Sequence, residues 1–179
     1  MADANTELTL DALHSAIAGQ LAAAFPSFKT VEFYRDDESE SIPTPALLLE
    51  MSEAEPAPDH DAGTARWCAY VRFEARVILA ARNSRAKLEV RKAATSLAAF
   101  LNLRHWTGIS ADACQLIACE PDAFTPKVDR VEVWRVEWVN LVMLGASTWH
   151  NDGTIPEQPF YAFSPNVGRE PAYVPLIES

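Results

Sequence analysis

The feature that most constrains the fold is a long, regular alternation between residues 66 and 81. Apolar side chains occupy every second position there, namely Trp67, Ala69, Val71, Phe73, Ala75, Val77 and Leu79. The positions between them include Tyr70, Arg72, Glu74 and Arg76. Because successive side chains of a strand point to opposite sides, this pattern predicts a long strand over 66–81 with one buried and one polar face.

Two helices are predicted, one before and one after that strand. Over residues 9–25, apolar residues recur at three- and four-residue intervals, and Thr9 is a candidate N-cap. The second helix is predicted to be capped by Asn83 or Ser84 and to run to about residue 102. Its predicted buried stripe consists of Ala86, Val90, Ala93, Leu97 and Phe100 or Leu101.

Four further strands complete the predicted sheet, over residues 28–35, 46–51, 115–119 and 130–144. In the last strand the apolar positions change parity between Val133 and Trp134, which predicts a β-bulge there. The order of elements predicts an α+β fold, in which two helices pack on one face of a mostly antiparallel sheet of about five strands.

The chain is expected to consist of one domain and an arm. Residues 1–144 are predicted to form a single α+β domain, since 179 residues suit one hydrophobic core. Residues 145–179 hold five of the 12 prolines and show no periodicity, which predicts an extended C-terminal arm or a disordered tail. Residues 52–65 contain two prolines and a glycine and are interpreted as a long mobile loop outside the core.

Charge is concentrated in two blocks of opposite sign. Residues 32–61 carry ten acidic residues against one basic residue, and residues 62–104 carry nine basic residues against two acidic ones. The net charge of −10 argues against a protein whose main surface binds phosphate backbones. Blocks of opposite charge can attract neighbouring copies head to tail, and the alternative interpretation is two solvated surfaces.

No catalytic motif stands out in the sequence. A glycine-rich phosphate loop, a GxSxG elbow, an HExxH motif and a spaced Cys/His set are all missing. The nearest approach to a metal site is Asp59-His60-Asp61, and adjacent residues of this kind lack the supporting groups that orient metal ligands. We therefore expect no enzyme activity and no cofactor. A small metal-dependent hydrolase that uses these three residues is the less favoured alternative.

Signals for secretion or membrane insertion are missing from the sequence. The first seven residues are acidic, and no apolar stretch approaches the ~20 residues of a transmembrane helix. Three cysteines without a CxxC pair argue against a disulfide framework. We therefore expect a soluble protein without membrane contact that is made in a reducing cytoplasm.

Four segments and their spacing point to a known family. They are the strand 66–81, the helix 84–102, the segment 131–138 (VEVWRVEW), and the segment 164–168 (SPNVG) followed by Tyr173. In this order the chain resembles the tail terminator proteins (minor tail, or tail completion, proteins) of long-tailed bacteriophages and Mu-like prophages. The last segment is similar to the C-terminal arm of the prophage group, although the long Pro-rich C-terminus departs from the family pattern.

The resemblance implies a structural virion protein without catalytic activity. Such a protein forms a hexameric ring at the head-proximal end of the tail, where it caps the tail tube, stops its polymerisation and provides the head-docking surface. The implied partners are other copies of the chain, the tail tube protein and the head-completion or neck protein, while DNA passes through the lumen without specific binding. The alternative is a tail-tube or neck (head–tail connector) protein of the same particle.

Two groups of charged residues are the candidate subunit or partner contacts. The first is the charged face of the predicted sheet, formed by Arg72, Glu74, Arg76, Arg135 and Glu137. The second is the acidic part of the predicted 52–65 loop, formed by Glu53, Glu55, Asp59 and Asp61. Both groups are expected to guide head-to-tail contact through complementary charge.

Overall fold

The computed structural model describes residues 7–35, 42–81, 85–122 and 131–148, together with the backbone of 160–161 and 174–175. Two compact units are distinguished, Met1–Trp149 and His150–Ser179. In the second unit, two short strands pair with each other in antiparallel orientation. The rest of the predicted C-terminal arm, including residues 164–168 and Tyr173, lies outside the described residues.

The first unit contains two helices and five strands. The helices are α1 (Leu10–Ala24) and α2 (Ala86–Leu101). The strands are β1 (Thr30–Phe33), β2 (Ala46–Pro56), β3 (Trp67–Ala80), β4 (Gln115–Pro121) and β5 (Val131–Leu144). The strands of the second unit are β6 (Phe160–Tyr161) and β7 (Val174–Pro175).

The five strands of the first unit form one sheet in the order β1-β2-β3-β5-β4. The edge pair β1–β2 is parallel, and the pairs β2–β3, β3–β5 and β5–β4 are antiparallel. Both helices contribute to the same hydrophobic core on one side of this sheet. The predicted α+β fold, with two helices on one face of a mostly antiparallel sheet, is therefore confirmed.

The core lies between the helices and the alternate residues of the long strands. The fully buried side chains of the core are led by Leu13, Ile17, Leu21, Leu47, Leu49, Val71, Phe73, Val77, Leu97, Leu101 and Trp138. The predicted N-cap of α1 is confirmed, since the Thr9 hydroxyl accepts a hydrogen bond from the Ala12 N–H at 3.1 Å. Most of the predicted buried stripe of α2 is confirmed, since Ala86, Val90, Leu97 and Leu101 are buried. Ala93 is only half-buried, and Ala94 and Ala98 are buried in addition.

The predicted β-bulge in β5 is wrong. Val133 pairs with Ile78 and Trp134 pairs with Val77, in continuous register with the rest of β3. The change of parity arises because the sheet has apolar residues on both faces at this end. On the side opposite the helices, a second small cluster contains Ala46, Leu48 and Ile78, against which Val131 and Val133 pack.

Register shifts occur instead in β2, between Met51 and Glu53, and in β4, between Leu116 and Ala118. In neither strand do enough apolar residues follow the shift to reveal it as a change between odd and even apolar positions in the sequence. The shift in β2 matters for the site, because it places Glu53 on the same side of the sheet as Arg72.

Two predicted boundaries also need correction. Residues 52–65 are not one mobile loop: β2 runs to Pro56, and the buried Ala57 donates its N–H to the Cys68 carbonyl at 2.9 Å. Pro56 is tolerated there because it is the last residue of β2 and lies beyond the part of β2 that pairs with β1. The N-cap of α2 is Arg85 and not Asn83 or Ser84, which both lie outside the described residues.

Candidate functional site

The face of the sheet opposite the helices carries charged side chains from adjacent strands and from the residue after β4. We call it the polar face and define it by ten residues: Glu50, Glu53, Glu55, Arg72, Glu74, Arg76, Glu120, Asp122, Arg135 and Glu137. All five residues predicted as the charged sheet face belong to it. The alternation of β3 and β5 places them there, because the residues between them form the core.

Strand register places like charges directly opposite each other on this face. Arg76 lies opposite Arg135, and Glu74 lies opposite both Glu50 and Glu137. Like charges in these positions repel, so the arrangement is stable only if diagonal neighbours compensate. They do so: Arg135 contacts Glu74 at 3.3 Å. The face is therefore an alternating array in which every arginine is surrounded by carboxylates.

Each of the three arginines contacts at least two carboxylates. Arg72 lies 2.7 Å from Glu137 and 3.1 Å from Glu53. Arg76 lies 2.8 Å from Glu50 and 2.9 Å from Asp122.

Arg135 joins the centre of the face to its β4 edge. Its guanidinium contacts Glu120 as well as Glu74, and it lies 3.6 Å from Glu137. Glu74 and Glu137 each contact two arginines, so the three guanidinium groups form one connected network.

The carboxylates raise the pKa of all three guanidinium groups above the ordinary arginine value. For Arg72 and Arg135 the largest cause is a hydrogen bond to Glu137 and to Glu120, respectively. For Arg76, burial acts in the opposite direction, but the hydrogen bonds to Glu50 and Asp122 and their negative charges outweigh it. The three arginines therefore stay charged at neutral pH.

The carboxylates of the polar face differ in exposure. The side chains of Glu137 and Glu74 are only 9% and 14% exposed, whereas those of Glu50, Glu53 and Glu120 are 45–49% exposed. The two less exposed carboxylates, Glu74 and Glu137, contact the arginines within the sheet. The three more exposed ones, which together with the exposed Glu55 we call the outer carboxylates, are also open to contact from a second molecule. With seven carboxylates and three guanidinium groups, the face carries four negative charges in excess.

The second group of predicted contact residues is split by the structure. Glu53 and Glu55 lie in β2 and belong to the polar face. Asp59 and Asp61 lie in and directly after the 3-10 turn Pro58–His60, beyond the end of β2. Asp61 accepts a hydrogen bond from the Gly63 N–H at 2.9 Å, as an aspartate in a tight turn commonly does.

The residues of the metal-dependent alternative do not converge. His60 has the Tyr70 hydroxyl 2.9 Å from its Nε2 atom. Within residues 7–35, 42–81, 85–122 and 131–148, no three His, Cys, Asp or Glu side chains are grouped as metal ligands. His60 lines an open cleft of about 610 Å³ with His105 and Asp112, at the opposite end of β5 from the α2 N-terminus.

Sequence reasoning missed Glu50, Glu120 and Asp122 as members of the polar face. Glu50 follows a buried apolar run in β2, so alternation alone does not indicate its partner. Glu120 and Asp122 contact the arginines because β4 pairs with β5, the strand that follows it, and not with β3, the strand that precedes it. The order of strands, which the sequence does not reveal, decides which charges meet.

Comparison with known proteins adds no relative to this picture. No protein-family model matches the chain, and no curated protein matches it significantly. Among the described residues, no helix is long and apolar enough to cross a membrane.

Proposed function

We propose that the protein is a structural assembly protein of the tail-terminator type. Copies of the chain join head to tail into a ring, expected to be a hexamer, at the head-proximal end of a phage tail. The ring caps the tail tube, stops its polymerisation and presents a surface to the head-completion or neck protein. In this proposal the chain is not an enzyme and needs no cofactor.

The observation that carries the proposal is the ion-pair network of the polar face. Exposed ion pairs contribute little to the stability of a fold, about 0–1 kcal/mol each. A fixed array of charges on rigid strands is well suited to select a partner and to set its orientation. The outer carboxylates Glu53, Glu55 and Glu120 are exposed and supply the charges that a neighbouring molecule would meet.

The charge of the chain supports the same role. A net charge of −10 and an acidic excess on the polar face repel phosphate groups. A ring that lets DNA pass through its lumen must avoid binding it, so this charge is the expected one. A protein whose task is to hold DNA would need the opposite sign on its main surface.

Electron microscopy and light scattering of the full chain test the proposal. We expect closed rings of one size, and a tail tube protein that polymerises in their presence should give tubes blocked at one end. Charge reversal by Arg76→Glu or Arg135→Glu should weaken the ring, because each arginine holds several carboxylates in place. Glu7→Lys, an exposed charge change outside the sheet, is the matched control.

Three outcomes would contradict the proposal in different ways. A chain that stays monomeric at high concentration and low salt would exclude assembly through this face. Long tubes formed by the chain alone would identify a tail-tube protein. Rings that bind a head-completion or neck protein but not the tail tube would identify a neck protein.

A further inference from the structure

The N-terminal ends of α1 and α2 differ in their N-caps. The N-cap residue of α2 is Arg85, and no side chain among the described residues caps this helix. In contrast, the Thr9 side chain caps α1, while each helix has one acidic residue in its first turn, Asp11 in α1 and Glu89 in α2. The free N–H groups of a first turn carry positive partial charge, so carboxylates stabilise this end of a helix and basic side chains destabilise it.

Basic residues nevertheless cluster at this end of α2. We call the cluster the basic end and define it by five exposed residues: Arg85, Lys87, Leu88, Arg91 and Lys92. Glu89 is the one acidic residue of the first two turns, and it contacts Lys92 at 3.1 Å. Residues 85–92 therefore carry three positive charges in excess. Lys87, which lies in the first turn, costs about 0.3–1 kcal/mol in helix stability at this end of the dipole.

The basic end also exposes apolar surface. Leu88 is 52% exposed and lies one turn before Lys92 on the outer side of the helix. Its neighbour Arg91 is anchored, since its guanidinium lies 4.6 Å from the centre of the Trp134 ring. Leu88 is therefore an exposed apolar side chain set among basic ones, which a docked partner would cover.

The basic end and the polar face lie on opposite sides of the same chain. The first belongs to the helix layer, and the second lies on the far side of the sheet. One carries three positive charges in excess and the other four negative charges. Because the sheet separates them, one chain cannot bring its own basic end onto its own polar face, but a second copy can.

We infer that the basic end of α2 in one copy docks on the polar face of the next copy. The inference rests on the proposed self-assembly and names the two surfaces that would meet. Carboxylates of the partner would lie against the basic residues at the start of α2. In a pair of copies, one basic end and one polar face stay unoccupied, because the contact joins two different surfaces. The contact can therefore repeat into a ring or a filament.

The dimensions of the two surfaces agree. The segment Arg85–Lys92 spans about 10 Å along the helix axis at about 1.5 Å per residue. The outer carboxylates of β2, from Glu50 to Glu55, span about 16 Å at about 3.3 Å per residue. The row of acids is long enough to face the whole basic end, and Leu88 would be buried between them.

A pair of charge-reversed variants tests the inference. The helix variant is Lys87→Glu/Lys92→Glu, and the strand variant is Glu53→Lys/Glu55→Lys. Each variant alone would place like charges in contact and should weaken self-association by on the order of tenfold or more. An equimolar mixture should associate again, because the basic end of the strand variant meets the polar face of the helix variant and the reversed helix meets the reversed strand.

Controls separate this result from a loss of folding. Circular dichroism checks each variant, and Glu55→Lys alone avoids the ion pair between Glu53 and Arg72. Glu7→Lys/Asp11→Lys, at the start of α1, has the same charge change as the strand variant and should leave association unchanged. Raising the salt from about 0.1 M to about 1 M, which shortens the Debye length from about 10 Å to about 3 Å, should weaken the wild-type contact.

Every outcome bears on the inference. If the wild type forms rings but the helix variant associates equally well, or if the mixture stays dissociated, the inference is wrong while the proposed function stands. If the wild type itself does not assemble, the proposed function fails with it. If the helix variant loses binding to double-stranded DNA and keeps its self-association, the basic end serves nucleic acid and the inference is overturned.

Discussion

The helix-covered face and the polar face of the sheet are built from alternate residues of the same strands, and they differ in what holds them together. Trp138 is fully buried and stacks on Phe73, with 5.5 Å between ring centres. Its neighbour Glu137 points to the other side and contacts Arg72. The first face excludes water around apolar side chains, and the second arranges charges that a partner can reach. In the proposed assembly, the residues for stability and the residues for recognition are therefore adjacent along the strand.

Asn140 is a buried polar residue on the helix-covered face. Its Oδ1 atom accepts hydrogen bonds from the indole N–H groups of Trp106 and Trp138, both at 3.1 Å. Its Nδ2 atom donates to the Asp112 carbonyl at 2.8 Å. These bonds connect β5 to the loop before β4, so this polar group specifies the position of a loop and is fully shielded from a partner.

The largest expected effect is on the helix-covered face. Trp138→Ala removes the largest fully buried side chain and should lower the free energy of unfolding by about 3–5 kcal/mol. Val139→Ala, at the next position and on the other side of the strand, is the matched control and should cost much less. Urea denaturation measures both. Equal losses for the two variants would contradict the assignment of the core to one face.

Asn140→Leu should have the next largest effect. The substitution leaves two indole N–H groups and the Asp112 carbonyl without their partner, which should cost about 1–3 kcal/mol of unfolding free energy. Trp106→Phe removes one of these donors. In a double-mutant cycle, the double variant should therefore lose less unfolding free energy than the sum of the losses of the two single variants. Strict additivity would mean that the Asn140–Trp106 hydrogen bond contributes nothing.

On the polar face, Arg76→Met should cost less. The change leaves Glu50, Glu74 and Asp122 close together without their shared cation. Because Arg76 is partly exposed and solvent screens these charges, we expect a loss of about 0.5–1 kcal/mol in unfolding free energy. High salt should reduce the loss, since it screens the repulsion of the three carboxylates. A loss as large as that of Trp138→Ala, independent of salt, would place the polar face among the determinants of the fold.

The smallest expected effect is the pH dependence of stability that His14 contributes on the helix-covered face. Burial lowers the pKa of His14, whose ring stacks on Phe33 at 4.2 Å, and the negative charge of Asp11 offsets part of this. Because the unfolded chain then binds more protons, the stabilisation from neutral His14 is complete above about pH 6.5 and is lost as the pH falls below that value. Melting temperatures of the wild type and His14→Phe, measured on both sides of this pH, should show a drop in the wild type that the variant lacks. An identical drop in both would exclude His14 as its source.

Local patterns predicted much of this division between the faces. The alternation in β3 identified Arg72, Glu74 and Arg76 as one polar surface, and the Thr9 cap located the start of α1. Both signals depend on neighbours in the sequence, so they survive without knowledge of the fold. The second apolar cluster around Ile78 was missed because it lies on the polar side of the sheet, where alternation predicts no burial.

The partners within the polar face could not be predicted, since they depend on strand order and register. The register shift after Met51 sets Glu53 beside Arg72, and the pairing of β4 with β5 brings Glu120 to Arg135. The charge blocks of the sequence are also redistributed. Arg72 and Arg76 of the basic block pair with acidic residues of the sheet, while the basic residues of α2 stay on the opposite side. In the proposed contact, the two complementary surfaces thus belong to two layers of the molecule, and not to two segments of the chain.

Sedimentation velocity of the equimolar mixture of the helix variant and the strand variant shows whether α2 docks on the polar face of a second copy. We expect each variant alone to stay small, and the mixture to form a large species with equal numbers of the two chains. If the wild type assembles under the same conditions but the mixture keeps the mass of its separate components, the docking of α2 on the polar face is contradicted.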